Sequence, residues 1–236
     1  NFQHPTFNVQ PRSRVLIITE SIFSMDGDVA PLREMVALKE KYGAWLMVDE
    51  AHATGLYGQN GGGLADELGV SGRIEIQMGT LGKALGASGG YIAGARPLID
   101  LLVNRARSFI FSTAPVPAAA AAAQAGIQLV QSVEGAQPRR QLQERIKELQ
   151  PAIGHQPSAS ASAILPLIVG DETQAVELAA KLREHNIYIP AIRYPTVARG
   201  AARLRITPTA AHSAEDVAML VRALGQIGNR KSEIVN

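Results

Sequence analysis

The chain has 236 residues, of which 46% are hydrophobic and 19% charged, and its formal net charge is +2. These values are typical of a globular protein with a sizeable core, and they do not favour nucleic-acid binding, because no run of Lys and Arg with interleaved aromatic residues occurs. The absence of cysteine excludes disulfides and cysteine nucleophiles and suits a reducing cytoplasm, and no apolar run is long enough to cross a membrane.

The first part of the chain alternates apolar runs with helical patterns. Four apolar residues in a row predict a buried strand over 14–20. A helix is predicted over 31–43, with Pro31 at its first position and Gly43 at its end. A second buried strand, which closes on an acidic pair, is predicted over 44–50. Further short strands are predicted over 74–79, 89–94 and 108–113.

The second part of the chain begins with two predicted helices, after which the composition becomes polar and rich in small residues. An alanine-rich helix is predicted over 118–133, and Pro138 is expected to open an amphipathic helix that runs to Leu149. The polar stretch 154–163 indicates a boundary or crossover. The elements predicted after it are strands over 164–170, 187–192 and 202–207, a helix from Asp171 with Gln174 as its capping-box partner, and a helix from Ser213.

The order of these elements predicts the fold class. Strands that alternate with helices favour an α/β protein with a mainly parallel sheet, and the last third favours a smaller α+β unit. We therefore predict two domains, over residues 1–135 and 136–236.

The letters Asp49-Glu50-Ala51-His52 match the acidic box of helicase-type NTPases. Such a box works beside a phosphate-binding loop, G-x-x-x-x-G-K-[ST]. The nearest candidate is 77–86, in which Gln77 replaces the first glycine and Ala84 replaces the hydroxyl residue that binds Mg²⁺. The sequence therefore disfavours an NTPase and predicts no metal site. The glycine run 58–63 lacks the spacing of a dinucleotide loop and indicates a surface turn.

What 77–86 does contain is Lys83, placed among glycines. An ordinary lysine has a pKa near 10.4, and burial or a neighbouring charge lowers it enough for Schiff-base chemistry. Asp49 ends the neighbouring strand, where a carboxylate suits the pyridinium nitrogen of pyridoxal phosphate. His52 is placed to donate a hydrogen bond to the phenolic oxygen of that cofactor. Taken singly, the three residues also fit a turn lysine, a helix cap and a structural histidine.

Four motifs in order resemble the α-oxoamine synthase family. They are TESIFSMDGDVAPL (19–32), WLMVDEAHATGLYG (45–58), MGTLGKALGASGGYIAG (78–94) and ARLRITPTAAHSAED (202–216). Members are fold-type-I pyridoxal-phosphate enzymes with an aspartate aminotransferase-like fold, and they are homodimers that condense an amino acid with an acyl-CoA and release CO₂. The resemblance implies that residues 1–135 are the C-terminal portion of the large cofactor-binding domain and that residues 136–236 are the small domain.

The resemblance also implies a role for individual residues. Lys83 matches the lysine that carries the cofactor, Asp49 its pyridinium partner, and His52 the group bonded to its phenolic oxygen. The other matches are Ser24 beside that oxygen, Thr80 at the phosphate, Thr113 at the phosphate of the neighbouring subunit's cofactor, Arg205 at the amino-acid carboxylate, and Arg193 as a second substrate arginine, for which a solvated loop arginine is the alternative.

Four activities share these motifs, and residues 163–212 most resemble the 8-amino-7-oxononanoate synthases of biotin biosynthesis. The expected substrates are L-alanine and a pimeloyl thioester. Tyr194-Pro195 stands where that group usually has Pro-Pro, which leaves the acyl-chain preference open. The other three activities are glycine C-acetyltransferase, serine palmitoyltransferase and 5-aminolevulinate synthase, of which the first two are the alternatives to this assignment.

One part of the family pattern has no match in these 236 residues. The family normally carries a preceding segment with an aromatic residue stacked on the cofactor and a glycine-containing phosphate loop. We therefore expect weak or no activity from these 236 residues alone. An inactive partner subunit is a further alternative.

Overall fold

The computed structural model describes residues 14–153 and 162–232. The first elements are β1 (Leu16–Glu20), α1 (Leu32–Tyr42), β2 (Trp45–Asp49), α2 (Leu64–Glu67), a 3₁₀ turn (Ser71–Arg73), β3 (Ile76–Thr80) and β4 (Gly90–Gly94). Four helices follow: α3 (Arg96–Arg105), α4 (Arg107–Ile110), α5 (Pro117–Gln131) and α6 (Val133–Ile153). The remaining elements are β5 (Leu165–Gly170), α7 (Glu172–Glu184), β6 (Ala191–Ile192), β7 (Ala202–Ile206) and α8 (Ala214–Ser232).

The first sheet has the order β1-β2-β3-β4, with the first three strands parallel and β4 antiparallel to β3. Glu20 pairs with Asp49, and Asp49 pairs with Met78, in the strand register. The carboxyl ends of three neighbouring strands therefore meet at one edge of the sheet. The predicted mainly parallel sheet is confirmed.

The second sheet has the order β5-β7-β6 and is antiparallel. Helices α6, α7 and α8 cover it through a core that includes Ile146, Leu149, Leu182 and Leu204. This arrangement agrees with the predicted α+β unit. The boundary predicted between residues 135 and 136 falls inside α6, and the division into domains stays a prediction. Most of the polar stretch 154–163 lies outside the described residues.

Local chemistry sets the helix ends that the sequence predicts well. Gly43 ends α1 in the left-handed conformation, with φ of +62°, which glycine adopts without steric cost. The carboxylate of Asp171 accepts a hydrogen bond from the amide of Gln174 at 2.8 Å and begins α7. Ser213 and Asp216 exchange the reciprocal bonds of a capping box before α8. Pro31 lies one residue before α1.

Two predicted strands differ in the structure. The segment 108–113 is not a strand, because the amides of Phe109 and Ile110 bond back to the carbonyl of Ala106 and form the short helix α4. A short apolar run has no periodicity that separates the two states. The strand predicted over 187–192 is reduced to β6, since Pro190 has no N–H to add to the ladder.

Two further expectations need correction. Strand β1 is not buried, and Ile18 is 66% exposed, because β1 lies at an edge of the first sheet and this side chain faces its uncovered surface. Pro138 does not open α6, which begins five residues earlier at Val133. The proline therefore lies in the second turn, where its missing N–H removes one helical hydrogen bond.

Candidate active site

The loop after β3 brings Lys83 to the turn that follows β2. The Nζ atom of Lys83 lies 2.9 Å from Nε2 of His52. The two loops approach closely at Gly55, where φ is +85° and an added Cβ would lie 2.7 Å from the Cβ of Ala84. Position 55 therefore favours glycine, because any other side chain would be strained there and would collide with Ala84.

His52 is neutral at pH 7. Its pKa is lowered to about 4, chiefly by burial and then by the charges of Lys83 and Arg205, while Asp49 acts in the opposite direction. The ammonium group of lysine only donates hydrogen bonds, so Nε2 of His52 is the acceptor. The imidazole therefore holds the Lys83 side chain.

Lys83 is exposed as a residue, yet its surroundings lower the pKa of its amine. Partial burial is the largest cause, and Arg205 acts in the same direction, while Asp49 and Glu20 oppose the shift. The free amine is therefore more accessible at neutral pH than that of an ordinary lysine. This direction agrees with the expectation from the sequence.

Asp49 is fixed at the end of β2. Its Oδ1 atom accepts a hydrogen bond from the amide of Ala51 at 2.7 Å, and its carbonyl accepts one from the amide of Ser21 at 2.8 Å. The carboxylate is half-buried and close enough to Lys83 and His52 to act on the pKa of both. The structure thus brings Asp49, His52 and Lys83 together.

Strand β7 brings Arg205 to the loop that carries Ser24. The Nε atom of Arg205 donates a hydrogen bond to the carbonyl of Ser24 at 2.7 Å. Arg203, two residues earlier on the same face of the strand, forms an ion pair with Asp26. Two arginines of the second sheet therefore hold the loop 23–28 beside the site.

The remaining predicted residues lie in less enclosed positions. The Oγ1 atom of Thr80 donates to the carbonyl of Gly89 and accepts from the amide of Gly82, each at 3.2 Å, so it shapes the Lys83 loop. Thr113 follows α4 and Arg193 follows β6, and both side chains are exposed. Their roles stay predictions.

The sequence did not predict the roles of Glu20 and Glu50. Glu20 accepts a hydrogen bond from the amide of Ser24 at 3.1 Å and acts on the pKa of Lys83. Its position at the end of a strand parallel to β2 was a usable signal. Glu50, which follows Asp49, is 1% exposed and faces the interior, because successive side chains at a strand point to opposite sides.

Tyr91 is a second residue that the sequence did not single out. Its hydroxyl forms a hydrogen bond with Oγ1 of Thr54 at 3.1 Å, which links β4 to the His52 turn. Its cross-strand neighbour is Gly79, where an added Cβ would lie 2.5 Å from that hydroxyl. The absence of a side chain at position 79 therefore makes room for the tyrosine ring.

Within residues 14–153 and 162–232, no group of three or more His, Asp or Glu side chains is positioned to hold a metal ion. Here too, no helix has the length and apolar character needed to cross a bilayer.

The chain matches known proteins over almost its whole length. The 8-amino-7-oxononanoate synthases of Polaromonas naphthalenivorans and Geobacter sulfurreducens are 47% and 46% identical over 90% and 91% of this chain. The match covers 54% and 56% of those proteins, so the chain spans about half the length of these curated relatives.

Solved structures give a consistent result. A serine palmitoyltransferase from S. paucimobilis superposes with a TM-score of 0.89 at 27% identity, over 94% of this chain and 57% of that one. The model of the protein family Aminotransferase class I and II matches residues 6–224. The chain therefore belongs to the aminotransferase class I and II family and has the fold-type-I architecture of pyridoxal-phosphate-dependent transferases.

Proposed function

We propose that this chain belongs to an enzyme that condenses L-alanine with pimeloyl-CoA or a pimeloyl carrier protein. The products are 8-amino-7-oxononanoate, the free thiol carrier and CO₂, and the reaction is a step of biotin biosynthesis. The observation that carries this proposal is the 2.9 Å contact of Lys83 with a neutral His52, beside the carboxylate of Asp49. The 47% identity to a protein named 8-amino-7-oxononanoate synthase supports the choice of substrates.

The side chains at this edge of the sheet fit pyridoxal 5'-phosphate. The amine of Lys83 suits the aldehyde, the carboxylate of Asp49 suits the pyridinium nitrogen, and His52 suits the phenolic oxygen. When bound, the pyridine ring supplies an electron sink for negative charge on the amino-acid Cα. The other residues that we assign to this cofactor are Ser24, Thr80 and Thr113.

Lys83 is the residue that moves the Cα proton in this proposal. Its lowered pKa makes the free amine available, and the acceptor Nε2 of His52 orients Nζ. A positioned proton-transfer group contributes about 10²–10⁴ in rate. Asp49 holds the proton of the pyridinium nitrogen.

Arginine side chains bind the substrate carboxylate in this proposal. The bond from Nε of Arg205 to the Ser24 carbonyl orients its guanidinium group beside the site. A guanidinium presents paired donors that match the two oxygens of a carboxylate. We assign the exposed Arg193 as a second substrate-side arginine.

A homodimer is part of the proposal, because the family resemblance assigns Thr113 to the neighbouring subunit's cofactor. The segment around Thr113 exposes large apolar side chains, with Phe109, Phe111 and Val116 between 63% and 72% exposed. Neighbouring apolar side chains of this size mark surfaces that are covered in an assembly. Sedimentation of the protein and of Phe111→Asp tests this, and a monomeric wild-type protein would contradict it.

Lysine trapping tests the cofactor site. The protein expressed from its complete gene is incubated with pyridoxal phosphate and reduced with borohydride, and the modified lysine is mapped by mass spectrometry. We expect the label on Lys83, its loss in Lys83→Ala, and a fall in turnover of about 10² or more. Lys181→Ala, which alters an exposed lysine of α7, serves as the control. A label that persists in Lys83→Ala would refute the site.

A substrate comparison tests the activity. Carrier release is measured with alanine, glycine and serine against acetyl, pimeloyl and palmitoyl thioesters. Serine palmitoyltransferase is the alternative that the structural neighbours raise, but the identity to that enzyme is 27% against 47% for the oxononanoate synthase. We expect a preference for alanine with the pimeloyl thioester. Preference for glycine with acetyl-CoA would overturn the proposal, and no turnover with an intact Lys83 label would favour an inactive partner subunit.

A further inference from the structure

Glu50 lies between Asp49 and His52 and has no part in the proposed reaction. Its carboxylate is 1% exposed and accepts three hydrogen bonds. Oε2 accepts from the hydroxyl of Ser21 at 2.7 Å and from the amide of Leu64 at 3.0 Å, and Oε1 accepts from the amide of Ala65 at 2.8 Å. A buried carboxylate is tolerated only when donors of this kind satisfy it.

The main chain of Glu50 is held equally firmly. Its amide donates to the carbonyl of Met78 at 2.8 Å, and its carbonyl accepts from the amides of Ala53 and Thr54, each at 2.8 Å. Gly63 approaches the carboxylate so closely that an added Cβ would lie 2.9 Å from it. Residue 50 therefore joins β3, the start of α2 and the turn that carries His52.

We propose that Glu50 is a positioning residue, whose buried carboxylate holds the segment 49–52 so that Asp49 and His52 face Lys83. Cofactor affinity then depends on a side chain that points away from the site. The identity of the cofactor rests on the proposed function, whereas the arrangement of the segment does not.

Two substitutions disturb the hydrogen bonds of the Glu50 carboxylate to different extents. Glu50→Gln keeps the shape but replaces one oxygen with an NH₂ donor, which then faces an N–H or O–H donor. Ser21→Ala removes one of the three donors, together with the longer bond of the same hydroxyl to the carbonyl of Asp49 at 3.2 Å, and leaves both backbone amides bonded to the carboxylate. We expect the same direction of effect in both variants and a smaller effect in Ser21→Ala.

The first measurement needs no cofactor. The imidazole of His52 is titrated by NMR in the wild-type protein and in both variants. In the wild type its pKa is about 4, and the groups that act on it are Lys83, Arg205 and Asp49. When the segment relaxes, the ring gains water and moves away from Lys83, so we expect the pKa to rise towards 6.5.

The second measurement is the affinity for pyridoxine 5'-phosphate, which lacks the aldehyde and does not react with Lys83. In Glu50→Gln the carboxylate loses its charge and a buried donor is left without an acceptor, so we expect a loss of about tenfold in affinity. In Ser21→Ala we expect about threefold, because both backbone bonds to the carboxylate remain.

Glu75→Gln is the matched control. Its carboxylate accepts from the ammonium of Lys39 at 2.6 Å and from the amide of Leu46 at 2.9 Å, at the opposite end of the same sheet. This variant should lose stability but keep the His52 titration and the affinity. Glu50 variants with the wild-type titration and affinity, or equal losses in Glu75→Gln, would overturn the inference. A wild-type protein that does not bind pyridoxine phosphate contradicts the proposed function, and the His52 titration still decides the role of Glu50.

Discussion

Mild acid is expected to destabilise the protein through His52. The pKa of its imidazole is lowered from 6.5 to about 4 in the folded protein, chiefly by burial and then by Lys83 and Arg205. The unfolded chain takes up a proton near pH 6.5, so between pH 6.5 and about 4 the unfolded state binds more protons than the folded state. The contribution of His52 to stability is therefore complete above pH 6.5 and is lost as the pH falls towards about 4.

The size of the effect follows from the change in pKa. Without solvent screening, a fall in the pKa of His52 from 6.5 to about 4 corresponds to about 3 kcal/mol in the free energy of unfolding, at about 1.4 kcal/mol for each pKa unit. The imidazole is only partly buried, so solvent screening reduces this value. We expect a loss of about 1–2 kcal/mol in the free energy of unfolding between pH 7 and about pH 4.5.

Urea denaturation of the wild type and of His52→Asn at the two pH values measures this loss. The carboxyl groups of Glu40, Glu75 and Asp216 also have lowered pKa values, but they titrate in both proteins and cancel in the comparison. His185→Asn, which alters an exposed histidine at the end of α7, should behave like the wild type. An equal loss in the wild type and in His52→Asn would refute the reasoning.

Two further predictions concern local structure. Asp171→Ala should lower the free energy of unfolding by about 1 kcal/mol, because the amide of Gln174 loses its capping acceptor, whereas Asp171→Asn should keep most of the stability in the same denaturation assay. Gly79→Ala should lower the melting temperature, with overpacking against Tyr91 costing about 1–3 kcal/mol. Gly72→Ala is the control, since nothing lies within 4 Å of its added Cβ, and an equal loss there would contradict the packing argument.

The parts of the fold that the sequence predicts well are those decided by local chemistry. Gly43, Asp171 and Ser213 mark helix ends because one backbone conformation or one side-chain bond decides each of them. The segment 108–113 is different, because its apolar residues are compatible with a strand or with the helical turns that it forms. The exposure of Ile18 likewise depends on what covers the face of β1 to which it belongs, which its own sequence does not specify.

The candidate site also has parts that the sequence predicts and parts that depend on tertiary packing. The ends of adjacent parallel strands meet, so Asp49 and the loop of Lys83 could be placed together from the sequence, and Glu20 could have been added by the same rule. The bond between Arg205 and the Ser24 carbonyl spans 181 residues and depends on how the second sheet packs on the first. No local pattern specifies a contact of that kind.

The segment Asp49 to His52 explains how the Lys83 side chain is positioned without forming an ion pair. Its hydrogen-bond partner in the described part of the chain is a neutral imidazole, at 2.9 Å. A carboxylate at that distance would favour the ammonium form and raise the pKa of the lysine. Neither adjacent carboxylate takes this position. Glu50 accepts hydrogen bonds from backbone and hydroxyl donors in the interior, and one oxygen of Asp49 accepts a hydrogen bond from the amide of Ala51. Within the described residues the amine of Lys83 therefore forms no ion pair, so in the proposed function none has to break before the amine reacts with the aldehyde of the cofactor.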